Sequence, residues 1–173
     1  MGSRAGPPSV SVRAKVERAF PGLVGTGYEL TSPIDPGYNC IAWAAGDSGA
    51  FWWPAKSVGI PGMKLGGYYW PPGIPNEETL AAFVDAFRAQ GYGPCGDGSL
   101  QSGYEKIAIY VGRDGAPTHA SRQLPSGKWA SKLGPSEDIE HDAAEDVSGE
   151  KYGTVARFMR REISDGRAHP RAQ

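Results

Sequence analysis

Apolar residues recur at helical spacing in two stretches of the chain. In residues 11–20 (SVRAKVERAF), Val12 and Val16 fall on one face, and a Pro-Gly pair ends the pattern. In residues 77–91 (EETLAAFVDAFRAQG) the apolar positions are denser, Asn76 is placed to cap the start, and a Gly ends the run. Both stretches predict amphipathic helices.

The period of the pattern changes in the second half of the chain. Residues 105–112, 117–124 and 128–133 predict strands joined by RDGA and PSG turns, and together they predict an antiparallel meander. A polar, acidic stretch over residues 134–149 predicts a loop, and residues 152–161 fit either a last strand or a helix. The pattern as a whole predicts an α+β fold in which helices precede a sheet.

A short apolar helix carries the first candidate for chemistry. In NCIAWAAGD, Asn39 is a good helix cap and Gly46 a good stop, which places Cys40 in the first turn. The positive end of the helix dipole is expected to lower the pKa of the thiol there, and the Cys40 N–H is a donor for an oxyanion. Asn39 either adds a second oxyanion donor from its side chain or only caps the helix.

A later strand supplies the imidazole that a thiol nucleophile needs as its base. His119 lies in the middle of the second predicted strand, and Ser131 on the third falls on the same face if the PSG turn closes in three residues. Ser131 is therefore the first candidate to orient the ring, with Glu137, Asp138 and His141 as alternatives that the sequence does not rank. Taken singly, a free Cys and a strand His fit core roles better, but their combination favours catalysis.

Composition changes this picture in one respect. Gly and Pro account for 40 of 173 residues, whereas Leu, Ile, Val and Phe account for 29, a balance that approaches disordered chains. Nearly balanced charge and 18 aromatic residues argue against disorder. We therefore expect a flexible leader over residues 1–10, a single domain over 11–163 whose core uses aromatic rings, and a flexible tail over 164–173.

Charge and hydropathy exclude several classes of partner. A net charge of -1 with no basic block argues against a nucleic-acid partner, and no apolar run is long enough to span a membrane. Without a signal-like start, the expected location is the cytoplasm. No CxxC or HxxxH spacing supports a metal site from the two Cys and the His residues, so no metal or cofactor is expected. Cys95, in a Gly-rich loop, is interpreted as incidental, with a disulfide to Cys40 as the alternative.

An aromatic stretch over residues 51–75 predicts an ordered, irregular loop. It contains three Trp, and rings at that density are seldom left to water, so their first interpretation is core packing. Flat rings near a nucleophile would also suit an extended substrate. The candidate substrate-binding residues are Trp52, Trp53 and Trp70.

The residues in this order resemble a known superfamily. A Cys-bearing helix (YNCIAWA), a strand with His119 and a next strand with Ser131 are similar to the papain-like and NlpC-like cysteine hydrolases. The strings YNCIAWAAGD, FWWP, YYWPPG, EKIAIY, PTHASRQL and KWASKLG also resemble a group of bacterial proteins of unknown function, over residues 20–159. The superfamily implies a papain-like α+β fold, in which the Cys helix packs on an antiparallel sheet with long aromatic-rich loops.

The resemblance also implies a reaction. Cys40 is the expected nucleophile and His119 the base, in a hydrolase or acyltransferase that acts on a peptide, amide or isopeptide bond through an acyl-enzyme. Two departures stand out, since Ser131 occupies the position of the usual third His, Asn or Asp, and cell-wall peptidases are normally exported. The alternative from another functional class is a non-catalytic binding or regulatory module whose contact surface is the Trp- and Tyr-rich loop predicted over residues 51–75.

Overall fold

A main antiparallel sheet dominates the computed structural model, which describes residues 10–54, 68–134 and 136–164. Its strands are β1 (Glu29–Ser32), β4 (Gly93–Cys95), β5 (Tyr104–Val111), β6 (Pro117–Gln123), β7 (Trp129–Lys132), β8 (Asp138–His141) and β9 (Thr154–Glu162). Their order across the sheet is β1-β8-β7-β6-β5-β9-β4. The short strands β2 (Phe51–Trp52) and β3 (Tyr68–Tyr69) pair in parallel as a separate ribbon.

The helices pack on both faces of this sheet. They are α1 (Val10–Ala19), α2 (Cys40–Ala44) and α3 (Leu80–Arg88), with 3₁₀ turns at Pro21–Leu23 and Ala144–Val147. The described residues therefore form a mixed α+β fold, as the hydrophobic pattern predicts. None of the helices in the described ranges is long and apolar enough to cross a membrane.

The predicted meander is confirmed, including its tight turn. Strands β5, β6, β7 and β8 are consecutive antiparallel neighbours. Between β6 and β7, the Leu124 N–H donates to the Lys128 carbonyl at 2.7 Å, which leaves a three-residue Pro-Ser-Gly loop. Gly127 has φ of +89°, a left-handed conformation that a residue with a side chain rarely adopts. This turn sets which residues of β7 share a face with β6.

Alternation along the strands divides the core between the two faces. Ile107 and Ile109 of β5 join the cluster beneath α2 and α3, whereas Ala108 and Tyr110 join the cluster beneath α1 and the 3₁₀ turns. Because successive side chains of a strand point to opposite faces, one strand supplies both clusters. We call these the α2 face and the α1 face of the sheet.

Several predicted boundaries differ from the observed ones. Helix α3 begins at Leu80 because Thr79, rather than Asn76, caps it by accepting a hydrogen bond from the Ala82 N–H. The acidic stretch predicted as a loop contains strand β8, and the final segment is a strand rather than a helix. Helix α1 begins at Val10, inside the predicted leader.

Parts of three predicted segments fall outside the described residues. These are the predicted leader up to residue 9, the predicted tail from residue 165 onwards, and residues 55–67 of the aromatic loop.

Candidate functional site

The start of α2 is fixed by the side chain of Asn39. Its Oδ1 accepts hydrogen bonds from the Ala42 N–H at 3.1 Å and the Trp52 N–H at 3.0 Å, and its Nδ2 donates to the Trp52 carbonyl at 2.9 Å. Asn39 therefore caps the helix and ties it to β2. The predicted capping role is confirmed. The oxyanion role stays a prediction, and one of the two Asn39 amide hydrogens is already donated to the Trp52 carbonyl.

Cys40 follows this cap and lies buried against the sheet, only 7% exposed. Backbone N–H groups of Ala120, Ile41 and Cys40 itself face the sulfur and favour a thiolate, but burial outweighs them and raises the pKa of the Cys40 thiol to about 11. The expectation of a lowered pKa is therefore wrong for this conformation. The five-residue helix contributes too little to offset the removal of the thiolate from water.

The predicted pairing of His119 with Ser131 is present and extends to a second histidine. His119 Nε2 lies 3.1 Å from Ser131 Oγ, which lies 2.8 Å from His141 Nε2. His141 Nδ1 lies 2.7 Å from the Ala143 carbonyl. The three side chains come from β6, β7 and β8, share the α1 face and are almost completely buried. We call this chain of hydrogen bonds the histidine relay.

Hydrogen-bond chemistry assigns a direction to the relay. A carbonyl only accepts, so His141 Nδ1 carries a hydrogen, and in a neutral ring its Nε2 must accept from the Ser131 hydroxyl. Ser131 Oγ in turn accepts from His119 Nε2–H. His119 is thereby left with an unprotonated Nδ1, and this nitrogen is buried with no hydrogen-bond partner. The relay ends on a free acceptor nitrogen, which is what a general base requires.

Burial keeps both histidines neutral. It lowers the pKa of His119 well below its ordinary value, and His141 nearby lowers it further. Burial also lowers the pKa of His141, although the Ala143 carbonyl, Asp146 and Asp142 act in the opposite direction. Of the two rings, His141 is therefore the one whose surroundings oppose protonation less.

Cys40 and His119, the expected catalytic pair, lie on opposite faces of strand β6. Cys40 belongs to the core of the α2 face, whereas the His119 ring stacks on Tyr152 at 4.0 Å on the α1 face. The sulfur reaches the strand at the Ala120 N–H, and a strand N–H points within the plane of the sheet. The residues are adjacent along the strand, but no hydrogen bond joins the thiol to Nδ1.

The acidic alternatives for the third residue do not contact the relay. Asp138 lies on the α2 face, where it accepts a hydrogen bond from the Tyr38 hydroxyl at 2.9 Å and pairs with Lys132 at 3.6 Å. The Glu137 carbonyl accepts from the Leu133 N–H in the turn between β7 and β8. Among the four residues considered from sequence, Ser131 and His141 are the ones that join the relay.

The three candidate substrate-binding tryptophans contribute to packing. Trp52 and Trp70 are each 4% exposed, and their indole N–H groups donate to Asp47 and to the Pro75 carbonyl. Trp53 is half-buried and donates to Glu78. The core-packing interpretation of this stretch therefore fits all three, and their role towards a substrate stays a prediction.

Neither cysteine forms a disulfide. Cys40 and Cys95 are both free thiols, and Cys95 is half-buried with its sulfur 3.6 Å from the Asp97 carbonyl. Within the described ranges, no group of three or more His, Cys, Asp and Glu side chains is arranged to hold a metal ion.

Nothing in the sequence indicated a cavity that the described structure contains. It has a volume of about 960 Å³, and its lining includes the end of α2, Arg122 of β6 and Arg161 of β9, but neither Cys40 nor His119. Arg122 is 8% exposed although it lies in a strand with a polar sequence. Arg122 stands between the polar residues Ser121 and Gln123 in the sequence. An exposed arginine would have similar neighbours, so the sequence did not mark Arg122 as buried.

Comparisons with known proteins place the site in a family without assigning it a reaction. A family model described as Domain of unknown function (DUF7689) matches residues 29–160, a span that contains α2, the histidine relay and Arg122. No curated protein matches the chain. No solved structure matches it either.

Proposed function

The chain belongs to the family of the Domain of unknown function (DUF7689), and since that description names no reaction, we propose a function from the geometry of the site. The proposal is a thiol-dependent hydrolase or acyltransferase that acts on an amide, peptide or isopeptide bond through an acyl-enzyme on Cys40. His119 is the general base and acid, and Ser131 and His141 orient it.

A single observation carries this proposal. The relay leaves His119 Nδ1 as a buried acceptor without a partner, one residue along β6 from the N–H group that faces the Cys40 sulfur. An unpaired nitrogen in a core is unfavourable unless another group uses it. In the proposal the Cys40 thiol donates its proton to this nitrogen, which requires the two side chains to be brought together across β6.

The reaction follows from the two neutral groups. The Cys40 sulfur attacks the substrate carbonyl carbon while its proton passes to His119 Nδ1, which forms the carbon–sulfur bond and a tetrahedral oxyanion. The Cys40 N–H, with Asn39 as the second candidate donor, stabilises that oxyanion. Nδ1 then returns the proton to the leaving amine as the carbon–nitrogen bond breaks, and water or a second amine releases the acyl group from the thioester.

The relay can move the transient positive charge from His119 to His141. When Nδ1 is protonated, the Nε2 proton of His119 can shift to Ser131 and the Ser131 proton to His141 Nε2, which moves the positive charge to His141. Asp142 and Asp146 both favour a charged His141. A hydroxyl alone orients a base weakly, so His141 would supply what Ser131 lacks.

The placement of the elements supports the same proposal. The Cys-bearing helix packs on an antiparallel sheet whose successive strands carry the imidazole and its partner, and we propose on this basis that the fold is of the papain-like or NlpC-like kind. Fold alone does not fix function, so the chemistry of the site has to be tested.

The test is acylation by a small activated ester, p-nitrophenyl acetate, in a Cys95→Ser background that leaves Cys40 as the one thiol. We expect intact-mass spectrometry to show one acetyl adduct, which Cys40→Ala abolishes and His119→Gln slows by about a hundredfold or more. Above the low pKa of His119, a general-base route gives a rate nearly independent of pH. A free thiol instead reacts about tenfold faster per pH unit below its pKa.

Tyr152 provides the control for access, because it covers one face of the His119 ring. Tyr152→Ala should speed acylation without changing its dependence on His119. Acylation that is equal with and without His119, or no adduct even in the Tyr152→Ala protein, would remove the catalytic proposal. Circular dichroism of each variant separates loss of reaction from loss of folding.

One observation favours the second candidate, a non-catalytic binding module. The cavity lies at the far end of α2 from Cys40, and both members of the catalytic pair are buried. Absence of acylation, together with ligand binding in the cavity, would support this function instead.

A further inference from the structure

The cavity at the end of α2 is lined by an unusual set of charges. Three arginines and two glutamates face it, so one positive charge is in excess. These side chains are Arg122, Arg160, Arg161, Glu105 and Glu162. A cavity of about 960 Å³ is within the range that small-molecule sites occupy.

Two of the three arginines have partners within the protein. Arg161 pairs with Glu105, donates to the Gln90 carbonyl at 2.9 Å and stacks over the Tyr92 ring. Arg160 donates to the Gln101 side chain at 2.6 Å and stacks over Tyr104. Both guanidinium groups are held in place by these contacts.

Arg122 is different. Its guanidinium lies 3.8 Å from the centre of the Trp43 ring, but it forms no ion pair and no hydrogen bond within the described parts of the chain. Its Nε is buried without a hydrogen-bond partner, and the residue lines the cavity. Burial lowers the pKa of Arg122, which reflects the removal of its charge from water, whereas the nearby Glu105 and Asp138 carboxylates and two tyrosines act in the opposite direction without forming a direct contact with it.

A buried cation without a direct ion pair or hydrogen bond destabilises a fold unless a ligand supplies one. Stacking on Trp43 fixes the plane of the guanidinium and leaves its donors free, which prepares it for a planar anion. The fixed plane, the free donors and the open cavity all point to a ligand rather than to a partner in the chain.

We propose that this cavity binds the carboxylate group of a small ligand, held end-on by Arg122. A monoanion matches the single excess positive charge, whereas a phosphate dianion would also face Glu105 and Glu162. The carboxylate could belong to a free organic acid or to the C-terminus of a peptide. This site goes beyond the proposed function of Cys40 and does not depend on it.

The test uses Trp43 as a built-in reporter, since its indole lies under the Arg122 guanidinium. The Trp43 Nε1–H resonance, assigned with Trp43→Phe, is followed by nuclear magnetic resonance while acetate, phosphate, N-acetyl-glycylglycine or its C-terminal amide is added. We expect the two carboxylates to shift this resonance and the amide to leave it unchanged. A stronger response to acetate than to the peptide identifies a free acid as the source, and the reverse order identifies a peptide C-terminus.

Matched variants test the role of Arg122. Loss of a charge-assisted hydrogen bond should weaken carboxylate binding about tenfold or more in Arg122→Gln. Arg157→Gln removes the same charge from an exposed position of β9 outside the cavity and should bind like the original protein. Cys40→Ala should also bind normally, which separates this site from the catalytic proposal.

Three results would overturn the inference. They are a tighter response to phosphate than to either carboxylate, equal binding by Arg122→Gln, and no response to any carboxylate up to about 10 mM. The comparison of the peptide acid with its amide uses the unmodified protein, so it decides the question even if Arg122→Gln fails to fold.

Discussion

Strand β6 carries two polar side chains that have opposite surroundings. His119 faces the α1 face, where it belongs to a closed relay with Ser131 and His141. Arg122, three residues later, faces the α2 face and lines an open cavity without an ion pair or hydrogen bond among the described residues. In the relay one nitrogen of His119 has no hydrogen-bond partner, whereas in the cavity the Arg122 guanidinium stacks on Trp43 and has neither a hydrogen bond nor a direct ion pair within the described residues.

The difference separates positioning from recognition. Polar groups that satisfy one another in a dry core hold a fixed geometry, which suits a base that must keep one tautomer. A cation left without a partner beside open space suits a ligand that brings its own charge. Mutations that remove a paired group should therefore destabilise the fold far more than those that remove Arg122.

The largest effect is expected from the other buried cation of the α2 face. Lys132 donates to the Ser136 carbonyl at 2.7 Å and pairs with Asp138, and both side chains are almost fully buried. Lys132→Met leaves the Asp138 carboxylate buried without its cation, and we expect a loss of about 3–5 kcal/mol in the free energy of unfolding. Urea unfolding followed by tryptophan fluorescence measures it.

Lys128→Met is the matched control for this prediction. Lys128 is 41% exposed, and its contacts with Glu140 and Asp142 are both 3.8 Å long, so its removal should change stability by less than about 1 kcal/mol. Equal effects of the two substitutions would mean that the buried ion pair does not stabilise the sheet.

The next largest effect is expected within the relay. Ser131→Ala removes the hydroxyl between the two histidines and leaves both Nε2 atoms without partners in the core. We expect a loss of about 2–3 kcal/mol in unfolding free energy. Ser121→Ala is the control, because Ser121 is equally buried but its partner, the Tyr110 hydroxyl, keeps a hydrogen bond to the Ala144 carbonyl. If Ser121→Ala proved as harmful as Ser131→Ala, the relay would have no special role in stability.

Local signals in the sequence were sufficient for the parts of the fold that local chemistry decides. The cap at Asn39, the stop at Gly46 and the three-residue turn before β7 all have side-chain or backbone reasons within a few residues. The turn then places Ser131 on the face of His119, as predicted. Strand β8 was missed because Asp138 and Glu140 gave its sequence a polar character, although Ile139 and His141 alternate with them.

The rest of the site depends on contacts between distant parts of the chain. The sequence does not rank His141 as a member of the relay, because the polar character of residues 134–149 predicts a loop where β8 lies. The lowered pKa expected for Cys40 was wrong because burial by residues far along the chain outweighs the helix start. The place of β9 beside β5, which builds the cavity around Arg122, is likewise non-local.

A change of pH probes the relay without any mutation. His119 and His141 have lowered pKa values, so the folded protein keeps them neutral while the unfolded chain binds protons below its pKa of about 6.5. The stability that depends on the two neutral histidines is fully present above that pKa and is lost as the pH falls below it. Between about pH 7.5 and 5.5, each histidine that stays neutral lowers stability by about 1.4 kcal/mol.

The control for this measurement lies at higher pH. From about pH 7.5 to 8.5 both histidines are neutral in both states, so the free energy of unfolding should fall by no more than about 0.5 kcal/mol, the share expected from ionisation of the Cys40 thiol in the unfolded chain. Stability that stayed constant down to about pH 5.5 would show that the histidines are protonated equally in the two states, and the assigned direction of the relay would then be wrong.

The smallest effect on stability is expected at Arg122, and it completes the comparison with Lys132. Arg122→Met removes a buried cation that forms no ion pair within the described residues, and the buried Asp138 carboxylate, which attracts Arg122 at longer range, keeps its contact with Lys132. Methionine refills the space of the side-chain stem, while the stacking of a cation on Trp43 is lost. These opposing changes should leave the unfolding free energy within about 1 kcal/mol of the original value, unlike Lys132→Met in the same urea titration. A loss as large as that of Lys132→Met would show that Arg122 stabilises the fold through a partner in the chain, and the reason to expect a ligand in the cavity would disappear.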